Sequence, residues 1–432
     1  MQNEQIHVYK YRWIILFIFN LVSIQNFSQL LQFSIITDTI SKFYNVQSYW
    51  VDATSLIFFL VYILFFYPIC YFVDRYSLKI SVGVAICLTV TGNLLKLLAS
   101  TPSRFWLILL AQFPVAIAQV QLSSLPTKLA TTWFGSEEVS TACAVVVFGM
   151  QLGTALGCIQ SSYVVSSDSD TEIKSQLLKM FIYQASIGGA ILLLVIVCFR
   201  TKPILPPSQS QLNLNERIDG NFLTTMKLAL KNKDFWFISL SLGTANGIWN
   251  SFGVIFNSVY IIYFPDNERD AGVIALLAIV AGGCIGSMVF GFILDKTHKF
   301  KVVGLVVLSM SALLTIAVGL SLILESRVAA FIIIPIFGFF IAPVLIIGFE
   351  YLVEVTYPLP EVYGASAFNA AYFTLAILAT LIFEGVLIFF GYAWTVGVTV
   401  VLLVGSVVVL SFTSNDLKRR AANLENKNLQ IQ

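Results

Sequence analysis

Along the 432 residues, twelve apolar stretches long enough to cross a bilayer alternate with short polar or charged segments. The first six cover roughly 13–36, 49–73, 80–100, 104–130, 139–163 and 178–199. The second six cover roughly 235–263, 271–294, 302–324, 328–353, 363–387 and 392–413. The pattern predicts an all-α membrane protein of twelve transmembrane helices in two pseudo-symmetric six-helix halves, 13–199 and 235–413. Residues 1–12 and 414–432 are expected as tails and 200–234 as a linker, flexible around Pro203, Pro206 and Pro207. Phe222 to Lys231 could form a short amphipathic helix on the membrane surface.

Two charged turns support a duplication. Asp74-Arg75-Tyr76-Ser77-Leu78-Lys79 and Asp295-Lys296-Thr297-His298-Lys299 stand 221 residues apart and interrupt the two halves at the same place. Paired six-helix repeats are the usual architecture of a carrier that rocks around a central site. In each turn an Asp ends one helix and basic residues open the next. Asp74, Arg75, Asp295 and Lys296 are therefore expected to latch one face of the carrier: the carboxylates near helix N-termini, the cations on free carbonyls or carboxylates.

Composition agrees with a lipid environment. Hydrophobic residues make up 58% and charged residues 11%, with a mean hydropathy of +0.85, against about 25% charged in a soluble domain. A net charge of +2 gives no reason to expect nucleic acid. All six cysteines fall within apolar stretches and none forms a CxxC pair, so neither disulfides nor zinc are expected. The first stretch is too long for a cleaved signal and is expected to remain. Only Lys42, Lys96, Arg104, Lys174, Lys179, Arg269 and Arg327 of the 25 basic residues fall on one side. The bias places both termini and the central loop in the cytoplasm. A plasma-membrane protein working as a monomer is the expectation.

Polar residues inside the spans are costly unless they face a cavity or a neighbouring helix. Gln25, Gln29 and Gln32 share one face of the first span, with Asn26 beside them. The seventh span carries Asn246, Trp249, Asn250 and Asn257; a shift of 221 residues places Asn246 on Gln25, Asn250 on Gln29 and Tyr372 on Gln151. The pairing suggests two walls of one cavity, the alternative being interhelical hydrogen bonding. Gln119 is a lone polar group deep in the fourth span. Gln119, Gln29, Trp249, Asn250, Gln151 and Tyr372 are the expected substrate contacts. Glu350 and Glu354 suit closure contacts, Glu384 is a candidate proton or cation site, and Lys96 is expected to snorkel. No acidic residue is expected at mid-membrane in the first, fourth, seventh or tenth span, which favours facilitated diffusion. There is no Walker loop, and no nucleophile–base or metal-ligand set, so neither an ATP-driven pump nor an enzyme is expected, and no cofactor.

Pro126-Thr127-Lys128 through Trp133-Phe134-Gly135, Glu138 to Ala144 and Phe148-Gly149-Met150-Gln151-Leu152-Gly153 closely resemble the feline leukaemia virus subgroup C receptor-related family. Gln32 to Ile36, Val51-Asp52, Ala116 to Gln119, Thr356-Tyr357-Pro358 and Asn369 support the resemblance. The charged turns likewise resemble the conserved loop of the major facilitator superfamily, with Ser77 where glycine is expected. The resemblance implies a major facilitator fold and a carrier of a small organic solute. Family members are described as choline and ethanolamine carriers, and haem export has also been attributed to them. In choline carriers a Trp and a Tyr enclose the quaternary ammonium through their ring faces, and two glutamines complete the site. Gln119 matches one of those glutamines, whereas Leu30, Asn250 and Phe373 stand at the Trp, Tyr and second Gln positions. The site so implied is richer in amides and suits a smaller polar amine such as ethanolamine, or a different organic solute altogether. A haem carrier finds no support in His7 and His298, which lie outside the spans; a non-transporting sensor on the same fold is the other alternative.

Overall fold

A polypeptide in lipid has to satisfy its backbone hydrogen bonds within itself, and the long apolar runs of this chain are mainly helical among the described residues. The computed structural model describes residues 7–135, 138–165, 169–205, 207, 231–265, 267–356 and 361–414. The possible surface helix at 222–231 lies outside them except for Lys231. The chain groups into two compact units: residues 1–218 with 254–276, and residues 219–253 with 277–432.

The first unit contains α1 (Arg12–Phe27), α2 (Thr37–Tyr44), α3 (Ser48–Arg75), α4 (Leu78–Leu98), α5 (Phe105–Ser123), α6 (Pro126–Trp133), α7 (Val139–Val164) and α8 (Asp170–Cys198). Helix α9 (Lys233–Tyr263) is divided between the units, and α10 (Glu268–Ile279) belongs mostly to the first. The second unit continues with α11 (Ser287–Thr297), α12 (Phe300–Ile323), α13 (Arg327–Ile341), α14 (Val344–Thr356), α15 (Glu361–Phe390) and α16 (Tyr392–Ser411).

Among the described residues ten helices, some formed by two or three consecutive segments, are long and apolar enough to cross a membrane. The two expected spans outside that set are the first and the seventh. Helix α9 has ample length, 31 residues or about 46 Å, but its asparagines and serines lower its hydropathy. The first span is shorter than expected because its helix stops at Phe27 rather than continuing to residue 36.

Proline and glycine account for the other interruptions. The expected fourth span, 104–130, ends at Ser123, and Pro126 opens α6 at the position where its missing N–H costs nothing. Pro343 separates α13 from α14, since it can neither donate a backbone hydrogen bond nor leave its predecessor freely helical. Between α10 and α11, Val280–Gly286 winds as a π-helix. Gly282 lies there against the Gly338 carbonyl of α13, where a Cβ would collide.

Helix α2 caps one end of the first unit. Its Phe43 and Tyr44 pack with Phe33, Ile36, Ile40 and Phe105, and Tyr44 Oη donates to the Ala99 carbonyl at 2.7 Å. Burial pushes the Tyr44 phenol above its ordinary pKa.

Close packing between α1 and α7 depends on three glycines four residues apart. Cβ atoms on Gly149, Gly153 and Gly157 would strike Asn20, Ile24 and Ser28. In lipid, where apolar surface alone gives helices little reason to associate, such small residues allow the backbone contact that holds a pair together. The second unit packs α9 against α15 with the glycines on the other partner. Gly247 approaches the Ala376 backbone within 2.9 Å of a hypothetical Cβ, and Ser251 Oγ donates to the Ala376 carbonyl at 2.9 Å.

Gly153→Leu is expected to cost about 1–3 kcal/mol through overpacking and to lower the melting temperature of the purified protein. Gly83→Leu, where a Cβ meets nothing within 4 Å, is expected to leave it unchanged. Equal stability of the two variants would contradict this packing.

Candidate functional site

Helix α1 ends early because its last polar side chains bond to its own backbone. Ser28 Oγ and Gln29 Nε2 both donate to the Gln25 carbonyl, at 3.0 and 3.1 Å, in place of a continued helical ladder. Residues 28–33 are consequently non-helical before a 3₁₀ turn at Ser34–Ile36. Neighbouring helices take up the freed carbonyls. Gln112 Nε2 of α5 donates to Gln29 O at 3.2 Å, and Ser55 Oγ of α3 donates to Leu30 O at 2.7 Å.

A buried amide network surrounds this break. Gln25 Nε2 and Asn93 Nδ2 donate to the Gln184 carbonyl at 2.9 and 3.2 Å, and Gln184 Nε2 donates to Gln32 Oε1 at 2.8 Å. Asn26 Nδ2 reaches Thr89 Oγ1 and the Val115 carbonyl, each at 3.0 Å. Lys96 lies inside the network with no exposed surface. Its Nζ donates to Gln29 Oε1 at 2.6 Å and stands 5.5 Å from the centre of the Phe33 ring. The expectation that Lys96 snorkels is thereby corrected: its chain runs inward because Gln29 and Phe33 offer an acceptor and a ring face there.

The six expected substrate contacts divide between the units. Gln29, Gln119 and Gln151 belong to the first, and no hydrogen bond joins them to one another among the described residues. Gln29 is turned to Lys96 and buried. Gln119, on α5, is 4% exposed and its Oε1 has no hydrogen-bond partner among the described residues. Gln151 is half-buried on α7, between the glycines that pack on α1.

Trp249, Asn250 and Tyr372 belong to the second unit. Trp249 stacks on Phe252 at 6.3 Å and tilts against Phe337 of α13 at 6.2 Å. Asn250 Nδ2 donates to the Asn246 carbonyl at 2.8 Å, the same bond one turn back that Gln29 makes to Gln25. The paired positions thus share this bond, although Gln29 lies beyond the end of α1 and Asn250 within α9. Tyr372, on α15, meets Phe368 edge-on at 5.9 Å and Phe373 at 4.2 Å.

At the charged turns, the side chains of Asp74 and Asp295 lie outside the described residues. Arg75 and Lys296 stay within their own helices: Arg75 Nη1 donates to Tyr71 Oη at 3.0 Å, and Lys296 Nζ sits 4.3 Å from the Phe292 ring centre. Other lysines reach the helix ends. Lys128 donates to the Val73 carbonyl and, at 2.9 Å, to the Tyr76 carbonyl. Lys79, at the start of α4, donates to Ile196 O near the end of α8 at 2.8 Å. Lys301, at the start of α12, donates to Ser411 O and Thr413 O past the end of α16, at 2.7 and 2.8 Å. Each unit therefore ties the start of its third span to the end of its sixth. From Asp295 to Lys301 is one residue longer than from Asp74 to Lys79, and His298, left-handed at φ 52°, lies in that longer turn.

The sequence reading passed over Gln112, Gln184 and Asn93, although the signal that singled out Gln119, an amide in an apolar run, applies equally to them. It also passed over the Arg12–Glu138 ion pair at 2.9 Å, backed by the Trp13 and Phe134 rings. That pair joins the start of α1 to the start of α7, two segments remote in sequence.

The model of the Major Facilitator Superfamily matches residues 14–356. A Caenorhabditis elegans protein called an uncharacterized MFS-type transporter is 35% identical over 96% of this chain and 71% of its own. The zebrafish choline/ethanolamine transporter flvcr2a is 34% identical over 97% of this chain and 89% of its own, and human FLVCR2 is 30% identical over 98% and 81%. In fold, the chain resembles the crystal structure of a bacterial homologue of the human lysosomal transporter Spinster. That match has a TM-score of 0.74 at 14% identity and covers 96% of this chain and 99% of the other.

Lys79→Met and Lys301→Met are each expected to lower stability by about 1 kcal/mol through the lost carbonyl caps. The losses should add in the double variant, because the caps share no partner. Thermal melts of the four proteins check this; full stability of both single variants would contradict the caps.

Proposed function

Because the chain belongs to the major facilitator superfamily and, within it, to the family of the FLVCR1 and FLVCR2 transporters, we propose that it carries choline, ethanolamine or a related amino alcohol by facilitated alternating access, without ATP. It is a multi-pass membrane transporter. The reading of its solute is supported above all by 34% identity, across nearly the whole chain, to a protein named a choline/ethanolamine transporter.

Local chemistry agrees. An amino alcohol presents a cation and a hydroxyl. Trp249, stacked on Phe252 and braced by Phe337, offers a ring face to a cation. The buried Oε1 of Gln119, without a partner among the described residues, can accept from a hydroxyl or an N–H. Asn250, Gln151 and Tyr372 complete the proposed contacts, while Gln29 acts through Lys96. With Leu30 and Asn250 in place of a second aromatic pair, cation–π attraction is reduced by about 0.5–2 kcal/mol per missing ring. Ethanolamine, whose ammonium can donate hydrogen bonds to amide oxygens, should be favoured over choline.

The proposed architecture has twelve spans with both termini cytoplasmic, halves at 13–199 and 235–413 joined by 200–234, and a monomer as the working unit in the plasma membrane. Asp74, Arg75, Asp295 and Lys296 form the proposed cytoplasmic latch.

Cells expressing the protein are expected to take up labelled ethanolamine, and choline more weakly, saturably and above vector controls. Gln119→Ala should lower Vmax/KM by roughly tenfold, the loss from one buried acceptor. No uptake of either solute by correctly inserted protein would reject the proposed substrate.

Asp74→Asn is expected to slow turnover severalfold while solute binding to the purified carrier stays within about twofold, because the latch acts on the conformational step. Loss of binding in a folded variant would overturn that division of roles.

A further inference from the structure

Lys96 has a geometry that neither topology nor the proposed solute contacts explain. A fully buried lysine inside a membrane span is costly unless paired, and among the described residues the hydrogen-bond acceptor of its Nζ is a single amide oxygen, Gln29 Oε1 at 2.6 Å. No carboxylate lies within 4 Å of it among those residues. Its other neighbour is the Phe33 ring, 5.5 Å away. Both contacts fall on the non-helical stretch 28–33, one near each end.

That stretch is held from four helices at once: by Lys96 from α4, by Gln112 from α5 through Gln29 O, by Ser55 from α3 through Leu30 O, and by Gln184 from α8 through Gln32 Oε1. Gln112 and Ser55 meet obligatory backbone needs. Lys96 instead meets a side chain, which the backbone does not require, and thereby fixes the rotation of the segment that carries Gln29 and Leu30.

We propose that Lys96 is a positioning residue of the carrier: its ammonium, bonded to Gln29 and seated on Phe33, holds the break in the first span in the geometry that sets solute affinity. This rests on the transport reading for its effect on affinity, but not for its effect on the break. Freed of Lys96, residues 28–33 keep three of their four anchors, so the protein folds while the segment around Gln29 gains freedom. The consequence is a change in KM larger than the change in turnover per folded carrier.

The test uses the full-length protein in nanodiscs, as Lys96→Met, Gln29→Leu and the double variant. Hydrogen–deuterium exchange over residues 28–36 reads the break without any solute. Lys96→Met is expected to speed exchange there by roughly tenfold or more, the loss of one buried charge-assisted hydrogen bond, with α7 unchanged. The double variant replaces both partners with apolar chains, avoids an unpaired buried charge, and should show the same local release. Uptake of the transported solute by cells expressing the same variants should show a KM raised severalfold in Lys96→Met, with the double variant no worse than the single.

Wild-type exchange over 28–36 in the double variant would overturn the proposal, even if Lys96→Met alone failed to fold. Additive KM effects of the two substitutions would overturn it as well. If wild-type protein carried no amino alcohol while exchange rose as expected, the solute assignment would fail and the positioning role would stand.

Discussion

Lipid supplies no hydrogen bonds, so every backbone group that leaves a helix within the membrane has to find its partner inside the protein. The first unit is arranged around one such departure. After Phe27 the backbone of α1 loses its ladder, and Ser55, Gln112 and Gln29 itself reach in from α3, α5 and the break to replace it. Once these polar side chains are committed to the interior, their remaining atoms need partners as well, and the network extends through Gln25, Gln184, Gln32 and Asn93 to α4 and α8. Lys96 joins it because an ammonium at that depth has no water to return to.

The two units use one scheme with different residues. In both, the helix bearing the amide series packs closely on a partner through small residues, but the glycines are on α7 in the first unit and on α9 in the second. Close approach needs room at the contact and not on a particular partner, so either helix can supply it. The lysine ties at Lys79 and Lys301 show the same economy: the partner is a helix-end carbonyl, which any chain provides. Contacts to backbone survive the divergence of side chains on the other helix.

Several of the positions that sequence periodicity brings forward turn out to be local in the structure. Arg75 and Lys296 interact with aromatic residues one turn back in their own helices, and Asn250 bonds to the backbone of Asn246. Residues with less prominent spacing, Lys128 and Glu138, make the long-range connections. Spacing along a helix reports which residues share a face; it carries no information about what stands opposite that face.

The membrane character, the helical class and the family were determined by the sequence alone. These properties depend on composition, on hydropathy summed over some twenty residues and on motifs that recur at fixed distance. Most of the expected spans were legible for the same reason, and so was the interest of the amide-rich first and seventh spans. The tertiary structure alone decided where α1 breaks, that Lys96 points inward to Gln29, and that Gln119, among the described residues, keeps a buried oxygen without a partner while Gln29 does not. The inward turn of Lys96 depends on which side chain from another helix arrives within about 3 Å, a relation between residues 67 positions apart that no local pattern encodes.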